Sequence, residues 1–227
     1  MKRRHIASVR TLAAAAPLLA ALVGVGAQAQ TTGAVFAGAD HGRDWSVAAG
    51  AVAAPIDSRW AVRAIVSTGG YDYSSNGATV DADYDQAEMV VLHRHSGSWG
   101  YLNVGGGARY TDTRLSPDDA GNGRRGGQWD ALLTADGVRR TGDWETGAFV
   151  SYGVDMNEYY VRARITRRLE SDRSRLGLEI VAQGDETYDR QGIALVAIRR
   201  VGSMEFAASA GVRGGDGQVS LGVVRTF

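Results

Sequence analysis

Between Arg175 and Arg200 the chain repeats an apolar residue at every second position, and this period excludes most folds. Leu176, Leu178, Ile180 and Ala182 alternate with Glu179 and Gln183, which gives a strand one greasy and one wet face. A helix would scatter the same residues around its circumference. Gly184-Asp185-Glu186-Thr187-Tyr188-Asp189-Arg190 then forms a polar turn, and Ile193, Leu195 and Ala197 begin a second alternating run that ends at Arg199-Arg200. The unit is strand, turn, strand.

The same unit recurs along the chain. Trp45, Val47, Ala49 and Ala51 alternate after a turn at His41-Gly42-Arg43-Asp44, and Trp60, Val62, Ala64 and Val66 follow Pro55-Ile56-Asp57-Ser58. Gly69 to Gly77 reads as a polar loop bearing Tyr71 and Tyr73. Asp81, Asp83 and Asp85 share one side of the next strand, where like charges would repel in a packed core, so that part is expected to stand in water. Leu102, Val104, Ala108 and Tyr110 oppose Asn103, Arg109 and Thr111, with Gly105-Gly106-Gly107 inviting a bend or a close backbone approach. Thr113 to Gly127 is the longest stretch without alternation and reads as a loop that is either functional or disordered, with the functional reading favoured. Alternation resumes in Trp129 to Ala135, Trp144 to Tyr152, Tyr159 to Ile165, Met204 to Val212 and Val219 to Val223.

At the amino terminus, Lys2, Arg3, Arg4 and Arg10 precede the apolar run Leu12 to Val23, and Ala27-Gln28-Ala29 supplies small residues at a cleavage site. Residues 1–29 are expected to be a secretory signal peptide and 30–227 the working protein. Losing those cations and no anions leaves the remainder mildly acidic, so nucleic acid is not an expected partner. No later segment offers the roughly 20 uncharged apolar residues of a spanning helix. With 31 glycines, three prolines and no cysteine, the composition suits strands and tight turns without disulfides.

About twelve strands joined by alternately short and longer connections predict an all-β, closed antiparallel transmembrane barrel. A soluble sandwich is the competing fold. The barrel is favoured by strands of membrane-crossing length, by aromatics at strand ends (Trp45, Trp60, Trp99, Trp129, Trp144, Tyr159) and by the terminal Phe227. Arg225 departs from the pattern, because it falls on the outward, lipid-facing side. The interior is expected to carry Arg63, Arg109, Arg162, Arg164, Glu179 and Glu205 among other charges, either as a watery lumen or as cross-bracing. The expected location is the outer membrane of a Gram-negative bacterium, with lipid around the barrel.

Two stretches carry a family resemblance. Leu115-Ser116-Pro117-Asp118-Asp119 with Asn122 and Gly126 forms the first, and Gly177-Leu178-Glu179 with Gly184 to Tyr188 and Arg190-Gln191 forms the second. They resemble the BcsS-type cellulose biosynthesis proteins of proteobacteria, with Leu178 where that family usually has proline. The resemblance implies an outer-membrane barrel associated with cellulose production or export, without an established enzymatic reaction. It transfers no catalytic residue.

The functional expectation is a non-enzymatic barrel supporting synthesis, export or anchoring of cellulose or another exopolysaccharide, in contact with the synthase or export machinery and needing no cofactor. Asp185, Glu186, Tyr188 and Arg190 are the candidate polysaccharide-binding residues, with Tyr71 and Tyr73 as further loop aromatics, since aromatic faces and carboxylates grip sugars. A small-solute porin is the alternative. A lipid-modifying barrel enzyme would need a nucleophile, histidine and carboxylate gathered together, and His93, His95, Ser96, Ser98 and Asn103 are the local candidates. His93 and His95, two apart on one strand face, would also suit zinc, but no third ligand accompanies them at ligand spacing.

Overall fold

In the computed structural model the described residues are 31–169, 173–186 and 188–227; the expected signal peptide lies outside them. Twelve strands run β1 (Thr31–His41), β2 (Trp45–Pro55), β3 (Trp60–Ser75), β4 (Ala78–Gly97), β5 (Gly100–Ser116), β6 (Gly126–Thr141), β7 (Trp144–Gly153), β8 (Glu158–Arg168), β9 (Ser174–Gly184), β10 (Asp189–Val201), β11 (Met204–Arg213) and β12 (Asp216–Thr226). Each pairs antiparallel with its sequence neighbours, and β1 pairs with β12 to close the barrel. Gly33 and Phe227 exchange backbone hydrogen bonds at this seam, at 3.1 and 3.0 Å. Closure matters because an unpaired amide in hydrocarbon costs several kcal/mol, and a ladder without edges leaves none in the spanning region.

The alternation sorts residues as the sequence implies. Outward leucines are exposed, Leu195 by 71% and Leu221 by 66%, whereas inward Leu92 is 1% exposed. So large an apolar surface is stable only against lipid. Aromatic girdles bound it. Trp60, Trp99 and Trp144 lie at the end that holds the termini, and Tyr110, Trp129 and Tyr152 at the other. On β7, Trp144 and Tyr152 lie on one face; at roughly 3.3 Å per residue and a tilt of about 40° they stand about 20 Å apart along the barrel axis, close to the height of an outer-membrane apolar band. By the usual asymmetry of short periplasmic turns and longer outer loops, the termini end faces the periplasm.

Two expected loops are strand instead. β3 continues to Ser75 and turns through Asn76-Gly77, both with positive φ (51° and 79°), into β4. An Asn-Gly pair in left-handed geometry is the favoured two-residue hairpin turn. Similarly Thr113 to Ser116 pair with Tyr84 to Asp81, so the long loop shrinks to residues 117–125. The polar sequence looked like loop because these extensions stand beyond the membrane, where a strand needs no apolar face. As a result β3 to β6 run to 16, 20, 17 and 16 residues and form a raised wall on one side of the outer mouth.

Inside, the periplasmic half is not purely polar. Ala54, Ala61, Val90, Leu92 and Leu132 form a buried apolar cluster with Val52 packed on it. Its sequence signal is the loss of alternation in Met89-Val90-Val91-Leu92 and Ala131-Leu132-Leu133, where both faces are apolar.

Candidate functional site

The outer half of the lumen opens as a vestibule of about 1000 Å³. Its walls come from the β3–β4 extension, the 117–125 loop and the β7–β8 and β9–β10 connections. Arg124 joins them. Its guanidinium pairs with Glu158 at 3.3 Å and also with Asp185, so the two stretches that carried the family resemblance meet across the mouth. Glu158 also accepts from Arg109 at 2.9 Å, and Arg109 reaches Asp130 at 2.6 Å. A chain of alternating charge thus runs from Asp130 up to Asp185.

The loop segments are shaped by local hydrogen bonds. Asp185 accepts the Tyr188 backbone N–H at 3.2 Å, and the Tyr188 carbonyl accepts the Asp185 N–H at 2.9 Å, folding the connection into a tight turn. Tyr73 donates to Asp119 at 3.0 Å and accepts from the Asn122 amide at 2.7 Å, which pins the 117–125 loop to the raised wall. Hydrogen bonds from Ser75 and Tyr73 hold the Asp119 carboxyl below its usual range. Burial works against the Arg124 charge, but Glu158 and Asp185 outweigh it and raise its pKa. Burial, aided by the charge on Glu158, pushes the Tyr188 phenol up, so it remains a neutral donor. Tyr71 lies 6.2 Å from Tyr73, ring centre to ring centre, and the Tyr84 ring lies across Gly69, where any Cβ would strike it.

Of the four candidate polysaccharide-binding residues, all line this cavity. Glu186 accepts from Asn157 at 2.8 Å, and Arg190 pairs with Asp44 in the β1–β2 turn. The six charged residues expected in the lumen all face inward. Arg63 donates to Thr134 at 2.8 Å, pairs with Asp136 at 3.2 Å and stacks 5.0 Å from the centre of Phe149. Arg162 pairs with Glu179 at 3.0 Å, and Glu205 shares Arg175 with Glu145. Arg164 projects inward between them with no carboxylate inside 4.0 Å among the described residues. Sequence reasoning did not single out Arg124, Glu158 or Tyr84. Glu158 opens a strand, and only barrel closure brings it between two arginines.

The remaining candidates are not gathered. His93 and His95 face outward at the periplasmic end, 2.9 Å apart between ring nitrogens, with Trp60 edge-on to His93 at 4.8 Å. Ser96 alternates to the interior, Ser98 sits in the β4–β5 turn, and Asn103 donates to Asp136 inside the barrel at 2.8 Å. No group of three or more metal-ligating side chains occurs among the described residues.

Comparison with known proteins agrees with the architecture. The KdgM porin superposes with a TM-score of 0.56 at 9% identity, covering 86% of this chain and 99% of that one. The translocator domain of the autotransporter NalP from Neisseria meningitidis gives 0.52 at 14% identity, covering 96% of each chain. An outer membrane channel from Pseudomonas putida F1 gives 0.50 at 11%, covering 87% of this chain and 95% of that one. Identities this low speak for the fold alone. No curated protein matches the sequence. A lipid-facing closed barrel between two aromatic girdles belongs in the outer membrane of a Gram-negative cell. The sequence profile described as "Cellulose biosynthesis protein BcsS" matches residues 34–223, and with that span the chain belongs to the BcsS family of cellulose biosynthesis proteins.

Proposed function

We propose that this barrel, an outer-membrane component of cellulose biosynthesis, acts without catalysis by holding a segment of the polysaccharide in its outer vestibule. The observation that carries this reading is the convergence, through Arg124, of two loops 60 residues apart (Arg124–Glu158–Asp185) into one polar, tyrosine-rich cavity. A neutral glucan offers hydroxyls and flat apolar ring faces. Tyr71, Tyr73 and Tyr188 supply planes for the latter, and Asp119, Glu186 and the lower carboxylates accept from the former. A volume near 1000 Å³ is at the upper end of ordinary ligand sites and admits an oligosaccharide. The synthase or export machinery would then be the partner on the periplasmic side.

The test is twofold. Deleting the gene should reduce cellulose-dependent biofilm, and the purified barrel should retain cello-oligosaccharides in a pull-down. Arg124→Glu, which places like charges beside Glu158 and Asp185, should part the loops and weaken that retention by about tenfold, the scale of one lost charge-assisted contact. Biofilm unchanged by the deletion would sink the proposal.

One observation keeps a small-solute porin as a second reading. Arg63 and Phe149 floor one half of the vestibule, but on the other half Arg162 and Asp40 stand 3.9 Å apart with side chains 28% and 27% exposed, so that half is polar and hydrated rather than sealed by apolar packing. In planar bilayers the unaltered barrel is expected to conduct weakly, and Phe149→Ala, which removes the ring over Arg63, to conduct several-fold more. A large, steady conductance in the unaltered barrel would favour the porin.

A further inference from the structure

The two ends of the barrel treat their arginines differently. Around the outer mouth most are paired: Arg43 with Asp72 at 3.0 Å, Arg114 with Asp85 at 2.7 Å, Arg125 with Asp118 at 2.6 Å, and Arg124 and Arg190 as described, while Arg213 reaches the Gln183 amide oxygen at 3.3 Å. At the periplasmic end Arg140 and Arg175 are paired with Glu145, but Arg139, Arg173, Arg199, Arg200 and Arg225 have no carboxylate within 4.0 Å among the described residues. An unneutralised guanidinium at a membrane boundary calls for an anion.

The placement of these cations identifies which anion. Five of the six strands that descend toward the periplasm carry a basic residue near the end of their outward, lipid-facing stripe: Val91 gives way to His93 on β4, Gly137 to Arg139 on β6, Ile165 to Arg167 on β8, Ala197 to Arg199 on β10 and Val223 to Arg225 on β12, whereas β2 ends on Pro55. They alternate with the lower aromatic girdle. The Arg167 guanidinium lies 5.9 Å from the Trp144 ring centre, and Arg225 sits opposite Met204. A soluble partner cannot reach side chains aimed sideways into the bilayer edge. The phosphodiesters of the periplasmic leaflet lie at that depth.

At the rim beside this belt the surface is concave, where Arg199 of the outward stripe meets Arg200, one register position toward the interior, and Arg173. Arg173, just before β9, and Arg199, Arg200, Val201 and Gly202 at the end of β10 line a cleft of about 340 Å³. A 2.7 Å bond from the Arg200 N–H to the Arg173 carbonyl ties the two segments together, so the cations are held on a fixed frame. Among the described residues the Arg199 side chain reaches the Ser174 hydroxyl, at 3.5 Å, and that of Arg200 the Gly202 carbonyl, at 3.3 Å, and neither meets a carboxylate. Planar guanidinium forks match phosphate oxygens two at a time.

We infer that this cleft binds the phosphodiester headgroup of an anionic phospholipid of the periplasmic leaflet, and that the surrounding basic belt sets the barrel's depth in that leaflet. The inference rests on the outer-membrane placement and is independent of what the vestibule holds. The experiment uses the full barrel in neutral detergent, with phosphatidylglycerol or phosphatidylcholine added and bound lipid counted by native mass spectrometry. Phosphatidylglycerol should be retained in preference to phosphatidylcholine. The combined variant Arg173→Gln, Arg199→Gln and Arg200→Gln should retain it about tenfold to a hundredfold less, since each cation near an anionic headgroup is worth about a fivefold factor. Folding is checked by the heat-dependent gel shift of the barrel, and Arg173→Gln alone, on a turn, serves if the triple variant does not fold. Arg43→Gln with Arg125→Gln, at the outer end, should leave retention unchanged. Equal retention of both lipids, undiminished retention by the variants, or displacement of phosphatidylglycerol by millimolar inorganic phosphate would each overturn the assignment, the last by showing a free-anion site.

Discussion

Arg109→Ala should destabilise the barrel by about 3–5 kcal/mol, the cost of breaking a buried ion pair from one side. The Arg109 side chain is 7% exposed and that of Asp130 3%, so neither is solvated well enough to stand alone. Truncation leaves Asp130 charged, held by little more than the 2.8 Å bond from the Asp155 N–H. Glu158 loses a partner as well, but at 29% exposure water and Arg124 recover much of that loss. The structure is committed to the pair: a Cβ at Gly153 would overlap the Asp130 carboxylate. Urea unfolding in lipid vesicles reads the change. Arg109→Met combined with Asp130→Asn should recover more than half of it, because the amide still accepts from Asp155 and no charge is left buried. A single variant within about 0.5 kcal/mol of the unaltered protein would mean that water fills the gap, and the bracing account would fall.

Gly107→Ala is expected to prevent assembly altogether. Gly105 and Gly107 face inward on β5 so close to β4 that a Cβ would overlap the carbonyl oxygens of Val91 and Met89, respectively. Relief would require prising two central strands apart, and the freed amides would have no water to turn to at membrane depth. The control lies between them. A Cβ at Gly106 would find its nearest neighbour, the Leu132 carbonyl oxygen, at 3.5 Å, an ordinary contact. Gly106→Ala should therefore fold, and Gly107→Ala should lack the compact, heat-sensitive gel band and be degraded by protease. Equal folding of the two would refute the close-approach argument.

The strands were legible because lipid and lumen impose a period of two that nothing else in a sequence imitates over so many segments. Where that pressure stops, legibility stops. Tyr71 to Ser75 and Thr113 to Ser116 are strand beyond the bilayer, without an apolar face, and they read as loop although Asn76-Gly77 announces the hairpin. Arg225 looked misplaced when every outward position was assigned to hydrocarbon; at the end of its strand it sits at headgroup depth. At the vestibule, Asp185 and Tyr188 stood out through composition. Glu158 and Arg124 did not, since their roles depend on contacts between strands far apart in sequence, and a linear pattern carries no record of such contacts.

The seam between β1 and β12 has a consequence for the unfinished chain. Every other rung joins sequence neighbours and can form as the hairpins appear, yet until the strand latest in the sequence reaches the earliest, the sheet keeps two raw edges. Such edges template pairing with any other nascent barrel. The protein is therefore most vulnerable to clumping when it is almost complete, in the interval before that final strand docks.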